Sequence, residues 1–277
     1  MKTLLLLFFF LLHAQAERII TLAPSVNEIV FALGHGDEVV GNSEHCSYPE
    51  ISKDIPKVGG YFAISLEKVL ALRPTLIIMA KNNLPLKPKF EKLGIEVIDV
   101  STVSLQELLQ SFKTIGKRIG AKEEALSLIQ EVEKALLSTT DILENKKILI
   151  VFGSHLDLNR QIYVSGNHLY FADIIKHSNN QNAYHDTSTK QPALSYEGLI
   201  ATNPDIVIIL APYAKTQKRE ISAIIKPWLK IPITAATKKT IYVIDKEYAG
   251  IPSDRVRFLI KDYEEILRDA KDKLSRL

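Results

Sequence analysis

Short hydrophobic runs alternate with amphipathic segments along the first hundred residues of the chain. Residues 18–22 are rich in β-branched side chains, and residues 75–79 are continuously apolar, which is typical of strands buried on both faces of a sheet. Residues 27–33 and 66–72 instead carry apolar side chains at helical spacing. This alternation predicts an α/β fold with parallel sheets covered by helices.

The middle of the chain has a different, purely helical pattern. Ser104 and Glu107 have the spacing of a helix-capping box, and apolar residues then recur at helical spacing to about Ile142, with an interruption at Gly120. A flexible linker would be rich in Gly, Ser or Pro. We therefore expect one long rigid helix within residues 104–145, after which the strand–helix alternation resumes.

An internal repeat indicates that the chain has two similar halves. Residues 65–78 and 195–208 carry Ser, Glu, Ala and Pro in the same register. Each copy has the pattern of a serine N-cap, a first-turn glutamate, and a helix that ends at a proline before a buried strand. Helix–proline–strand segments are common, so chance is the competing explanation. The repeat predicts two Rossmann-like lobes, residues 17–103 and 146–277, joined by the rigid helix around a ligand cleft.

The N-terminal segment predicts export. Lys2 precedes an apolar run at residues 4–12, which is followed by the small-x-small pattern of a cleavage site at residues 14–16. At about 1.5 Å per residue, the run spans less than half of a ~30 Å hydrocarbon core. We expect residues 1–16 to be a removed signal peptide, with a buried N-terminal helix as the alternative. Because no cysteine closely follows the run, we expect a periplasmic protein that is not a lipoprotein.

Composition and motifs exclude several functional classes. The chain has 277 residues, of which 46% are hydrophobic and 24% charged, as in ordinary globular proteins. Its 35 basic and 32 acidic residues are mixed, without the basic stripe that nucleic-acid binding requires. The single cysteine, Cys46, cannot form an intrachain disulfide. The sequence contains no nucleophile elbow, zinc-protease motif or phosphate loop, so no motif in it supports a hydrolase.

Seven stretches of the chain resemble the periplasmic substrate-binding proteins of the helical-backbone class (class III), which feed ABC importers with vitamin B12, haem or iron–siderophore chelates. The likeness is strongest to members that bind vitamin B12. It implies a monomeric binding protein that is not an enzyme and has no intrinsic cofactor. Its implied partners are a metal chelate and a membrane permease dimer with its cytoplasmic ATPase. The matching stretches are residues 18–25 with Glu28, 48–49, 57–60, 65–78, 93–95, 164–166 and 195–208.

The resemblance also implies two groups of functional residues. Glu67 and Glu197 align with the glutamates that dock onto arginines of the two permease subunits, although ordinary first-turn glutamates are the alternative. The residues of a second group align with ligand-contacting residues of the relatives, lie in a loop that borders the cleft, or could offer an aromatic face to a flat ligand. These candidate ligand-binding residues are His45, Tyr61, Tyr163, Gln191, Tyr248 and Arg255.

The metal and the exact ligand stay open at this point. A neutral imidazole can ligate cobalt, iron or nickel, so His45 is a candidate metal ligand, with a solvated loop histidine as the alternative. The tryptophans of the B12-binding relatives correspond to Tyr61 and Gln191, and the single tryptophan, Trp228, falls elsewhere. A corrinoid is the first choice of ligand, and haem or a ferric siderophore is next. A nickel or other metal complex, or a two-lobed tetrapyrrole chelatase, are the alternatives.

Overall fold

The structure is a computed structural model that describes residues 17–60, 63–186 and 191–276. The expected signal peptide, residues 1–16, and Tyr61 lie outside the described residues. Within the described part of the chain, no helix is long and apolar enough to cross a membrane.

The N-terminal lobe is built on one sheet of four parallel strands in the order β2-β1-β3-β4. Nearly every residue of the two central strands is buried, as their apolar sequences predict. The strands are β1 (Ile19–Thr21), β2 (Val39–Asn42), β3 (Leu76–Ala80) and β4 (Glu96–Val100), and the helices are α1 (Pro24–Ala32), α2 (Leu66–Ala71) and α3 (Lys87–Lys92).

Two helices follow the N-terminal lobe. They are α4 (Leu105–Ile119) and α5 (Lys122–Leu137). The capping box is confirmed, because Ser104 Oγ accepts the N–H of Glu107 at 3.2 Å while the Glu107 carboxylate accepts the N–H of Ser104. The prediction of one long helix across residues 104–145 is wrong.

The helix breaks for a local steric reason. Gly120 adopts a left-handed conformation (φ 82°) that ends α4. One turn earlier, a Cβ on Gly116 would lie 2.6 Å from the carbonyl oxygen of Ala121 and 2.7 Å from Cβ of Ala125. The absence of a side chain at Gly116 therefore lets the start of α5 pack tightly against the end of α4.

The C-terminal lobe repeats the α/β design. Its main sheet has four parallel strands in the order β10-β9-β5-β7, and β6 pairs with β8 in a small antiparallel ribbon. The strands are β5 (Lys147–Phe152), β6 (Ile162–Tyr163), β7 (Gln181–Asn182), β8 (Ala193–Leu194), β9 (Ile206–Leu210) and β10 (Ile241–Ile244). The helices are α6 (Tyr170–His177), α7 (Tyr196–Thr202), α8 (Ile221–Trp228), α9 (Thr234–Lys238) and α10 (Val256–Ser275).

The two copies of the sequence repeat form matching helix–strand units. Ser65 caps α2 by accepting the N–H of Lys68 at 3.3 Å, and Ser195 caps α7 by accepting the N–H of Gly198 at 3.2 Å. Each unit then continues into a buried central strand, β3 or β9. The repeat therefore corresponds to equivalent elements of two lobes.

One continuous hydrophobic core connects the lobes. It joins Ile19 and Ile78 of the N-terminal sheet to Ile148 and Ile208 of the C-terminal sheet, with Phe112 of α4 wholly buried in it. Further clusters cover the opposite face of each sheet. Because protein interiors are close-packed, a shared core resists large movements of one lobe against the other.

The capping box predicts an acid-dependent contribution to stability. Hydrogen bonds from Lys81 foremost, and from Ser101 and Ser104, lower the pKa of Glu107 to about 2. A lowered carboxyl pKa stabilises the fold above the unfolded-state pKa, and this contribution is lost as the pH falls from about 4.5 to about 2. Because the side chain is 37% exposed, we expect Glu107→Ala to cost about 0.5–1 kcal/mol in urea unfolding at pH 7. The difference from wild type should shrink below pH 3, and a pH-independent difference would contradict this origin.

Candidate functional site

Segments that follow strands of both lobes line a common cavity. In α/β folds, the loops at the carboxyl ends of the strands carry the ligand-binding residues. This cavity has a volume of about 310 Å³. Its N-terminal-lobe wall comprises residues 23–25, 80–82 and 101–103, which follow β1, β3 and β4, and residues 250–252 of the C-terminal lobe close it.

A buried ion pair ties the lobes together beside this cavity. Arg255, at the start of α10, directs Nε and Nη2 to the two carboxylate oxygens of Glu28 on α1, and the Nε–Oε2 distance is 2.9 Å. The side chains are only 6% and 2% exposed, and Ser253 donates a hydrogen bond to the same carboxylate. Burial raises the pKa of Glu28, whereas the bonds from Arg255 and Ser253 oppose that rise. Arg255, predicted as a ligand contact, thus has a partner inside the protein, and its contact with a ligand stays a prediction.

Two tyrosines enclose the Arg255 guanidinium. Its central carbon lies 3.8 Å from the ring centroid of Tyr48 and 6.0 Å from that of Tyr248. Tyr248 is partly buried, and its hydroxyl donates to Asp262 at 2.7 Å. Tyr48 is 40% exposed, so part of its ring is open to solvent. Sequence reasoning did not select Tyr48 as a site residue, although it lies in one of the matched stretches.

His45 lies exposed in the loop after β2, beside a buried thiol. The neighbouring Cys46 is 2% exposed and its Sγ lies 3.2 Å from Ser43 Oγ, so it packs as a small apolar residue. Burial raises the pKa of this thiol, which disfavours the thiolate form that binds metals. Lys57 Nζ holds the loop through the carbonyl oxygens of Cys46 and Ser52. Only the imidazole of this pair is available to a ligand.

Exposed aromatic and apolar side chains lie on the C-terminal lobe. Tyr163 on β6 is 47% exposed, and Gln191, which precedes β8, donates through Nε2 to the carbonyl oxygen of Val164 at 2.7 Å. Sequence reasoning missed Tyr213, which is 67% exposed in the loop after β9, and Leu156, which is 53% exposed after β5. The sequence feature that could have identified these two residues is their position, because each follows the carboxyl end of a buried parallel strand.

Glu67 and Glu197 occupy equivalent positions in the two repeat units. Each is the second residue of its helix, α2 or α7, and each is exposed. Hydrogen bonds from its own backbone N–H and from Ser195 lower the pKa of Glu197, which keeps this carboxylate ionised. Neither glutamate has an ion-pair partner in the described part of the chain. Both charges are therefore free to meet a cationic partner.

Comparison with known proteins identifies the family. The family model for periplasmic binding proteins matches residues 19–248. The vitamin B12-binding protein of Yersinia pestis is 24% identical over 237 residues, which cover 83% of this chain and 82% of that protein.

Solved structures of similar proteins have the same fold as this chain. BtuF, the periplasmic vitamin B12 binding protein of Vibrio cholerae, aligns with a TM-score of 0.76 at 20% identity, over 92% of this chain and 98% of that chain. The periplasmic haem-binding protein BhuT, solved with two haems, aligns with a TM-score of 0.75 at 20% identity, over 92% and 99%. The predictions of a two-lobed α/β fold and of a binding protein instead of an enzyme are confirmed. The chain belongs to the periplasmic binding protein family.

Proposed function

We propose that the protein is the periplasmic solute-binding component of an ABC importer, which captures a metal chelate and delivers it to a membrane permease. The observation that carries this proposal is a cavity lined by residues of both α/β lobes, together with exposed tyrosines on each lobe. Tyr48 lies in the loop after β2, Tyr163 on β6, and Tyr213 in the loop after β9. Tyrosine combines a large apolar face with a polar tip, which suits a flat chelate with polar edges. A corrinoid is our first choice, and haem is next.

A further observation favours an intact chelate over a bare metal ion. Among the described residues, no group of three or more His, Cys, Asp and Glu side chains could hold a metal ion. A bare transition metal would need such a converging set. His45, exposed and not part of such a group, could still supply one axial ligand to a metal already held by its chelator. A nickel complex bound in the same way is the second candidate.

The shared core supports a largely pre-formed cleft. Because one hydrophobic cluster runs from the N-terminal sheet through α4 and α5 into the C-terminal sheet, closure on binding should be small. Release would then require the permease to act on both lobes. Glu67 and Glu197 are the proposed contacts for that step, one on each lobe, since they are exposed and lie in equivalent repeat units.

The first test is titration of residues 17–277 with cyanocobalamin and with haemin. We expect one equivalent of one chelate to bind with sub-micromolar affinity by calorimetry. Binding should also quench the fluorescence of Trp228, the single tryptophan, which is wholly buried in the C-terminal lobe away from direct contact with a ligand. Quenching would therefore report energy transfer to the bound chromophore.

Alanine variants of the exposed tyrosines test the cleft. Tyr163→Ala and Tyr213→Ala should each weaken binding about tenfold, because each removes a large aromatic contact. Leu137→Ala is the matched control, since it is 65% exposed at the end of α5. Absence of binding to corrinoid, haem, ferric catecholate and nickel–histidine would contradict the proposed function. Equal affinity of the tyrosine variants and the control would contradict the proposed cleft.

A further inference from the structure

We propose that the cavity of about 310 Å³ lined by both lobes binds an oxyanion group of the transported ligand, either a carboxylate or a phosphate. The site, here called the oxyanion pocket, comprises the first turn of α1 with Ser25, the hydroxyl of Thr102, and Lys81, all of which line the 310 Å³ cavity. The proposal rests on the proposed function, because it concerns which chelates the cleft accepts.

The N-terminus of α1 is uncompensated. Its N-cap, Ala23, provides no side-chain hydrogen bond, Pro24 occupies the first helical position, and the first turn contains no acidic residue. The N–H groups of Ser25 and Val26 have no acceptor in the described part of the chain. The helices α3, α8, α9 and α10 also lack both a side-chain cap and a first-turn acidic residue, but among these described helices only α1 begins at the cavity. The free N–H groups and positive dipole end of α1 therefore favour an anion in the cavity.

Two hydroxyl groups without a hydrogen-bond partner among the described residues also line the cavity. Ser25 is 7% exposed and Thr102 is 8% exposed, and both line the cavity. Among the hydrogen bonds of the described residues, neither hydroxyl takes part in any. Neither hydroxyl oxygen is sealed from solvent, so water can solvate both when no ligand is bound, and a ligand oxygen would take the place of that water. A ligand oxygen in the cavity would accept hydrogen bonds from both hydroxyls, which come from different elements of the lobe.

Lys81 adds a cationic side chain at the same cavity. Its Nζ lies 2.9 Å from Oε1 of Glu107, and the side chain is 58% exposed. The buried charges nearby are paired within the protein, Glu28 with Arg255 and Asp254 with Arg257. Much of the remaining lining is apolar, including Ile251. An anion in the pocket would therefore meet the helix end, two hydroxyls and a lysine that it could share with Glu107.

The pocket defines a class of ligand. A cavity of this volume exceeds what a carboxylate alone fills, so the anionic group would enter as part of a larger molecule. A propionate of haem and the phosphodiester of a complete corrinoid share this chemistry. Chelates that lack an anionic group should bind more weakly than their anionic counterparts.

Inorganic phosphate tests the pocket without any chelate. Titration of residues 17–277 with phosphate, followed by amide NMR, should shift the N–H signals of Ser25 and Val26 at millimolar concentrations. In Thr102→Val and Lys81→Gln, the apparent Kd should rise about tenfold, because each variant removes a donor to the anion. Lys113→Gln, which changes an exposed lysine of α4, is the control. Unshifted Ser25 and Val26 signals, or equal shifts in all variants, would overturn the proposal.

Two features of this test separate anion binding from a structural effect. Thr102→Val should leave the Tm unchanged or raise it, since the hydroxyl has no partner to lose. Glu107→Gln should tighten phosphate binding, because it releases Lys81 from its ion pair while glutamine can still cap α4. Weaker phosphate binding in Glu107→Gln would argue that Lys81 acts only as a structural partner and would overturn its proposed role.

Paired chelates then identify the source of the anion. Haemin is compared with its dimethyl ester, and cyanocobalamin with cobinamide, which lacks the nucleotide phosphate. At least one anionic member should bind about tenfold more tightly than its partner, and Thr102→Val should reduce that preference. Equal affinities within both pairs would overturn the proposal while leaving chelate capture intact. Phosphate binding without binding of any chelate would contradict the proposed function but support the pocket.

Discussion

Replacing Arg255 with methionine is expected to lower the free energy of unfolding by about 3–5 kcal/mol. The variant leaves Glu28, whose side chain is 2% exposed, without the guanidinium that contacts both of its oxygens. An unpaired buried carboxylate is costly because water cannot solvate it and Ser253 alone replaces little of that solvation. The ion pair also connects residues far apart in the chain, so its loss should loosen the contact between the lobes.

The pH dependence of this loss identifies its cause. Without Arg255, burial raises the folded-state pKa of Glu28 further above its unfolded value of about 4.5. A raised carboxyl pKa destabilises the fold progressively as the pH rises through the folded-state value. The loss in Arg255→Met should therefore be largest near pH 8 and smaller near pH 5, where Glu28 takes up a proton.

Urea unfolding followed by circular dichroism measures both effects. The double variant Glu28→Leu/Arg255→Met should recover most of the lost stability, because neither charge then remains buried. Arg268→Met is the control on the same helix, since the Arg268 side chain is 61% exposed and pairs with Glu264 at the surface. A loss below about 1 kcal/mol, or a loss that does not change between pH 5 and pH 8, would contradict a buried charge pair as the source.

Local patterns predicted most of the secondary structure and its organisation. The apolar runs became the buried strands β1 and β3, and the serine at residue 104 begins α4 as its capping pattern predicts. The repeat correctly indicated two equivalent lobes. These features depend on neighbouring residues and on burial of whole segments, so periodicity and capping chemistry suffice to find them.

Features that depend on contacts between residues distant in the chain could not be predicted from the sequence. The pairing of Glu28 with Arg255 joins positions 227 residues apart, and no periodicity connects them. The break at Gly120 was visible as an interruption, but its geometry depends on how closely Ala125 approaches Gly116. Likewise, the unpaired hydroxyl of Thr102 is recognisable only from its surroundings in the fold. Such sites arise from tertiary packing and not from local preference.

Reversing both repeat glutamates, in Glu67→Lys/Glu197→Lys, is expected to reduce chelate uptake by cells at least about tenfold while leaving chelate affinity unchanged. Each single variant should cause an intermediate loss. The two carboxylates are exposed and, among the described residues, have no cation beside them, so an external basic surface is the partner that their charges favour. Like charges brought together at such an interface repel each other, which slows docking and weakens the complex.

Controls separate docking from folding and binding. Glu123→Lys/Glu124→Lys changes the same number of charges at exposed first-turn positions of α5 and should leave uptake close to wild type. Uptake of the chelate identified by titration is measured in cells that express the cognate permease, alongside Tm and affinity of each purified variant. If the Glu67/Glu197 variant transports normally, the first-turn glutamates serve only their own helices through the dipole. If both double variants lose uptake equally, the loss reflects the change in net charge and the docking assignment is wrong. The two pairs of glutamates are matched in charge and exposure, so only a localised contact with the permease would make their effects on uptake differ.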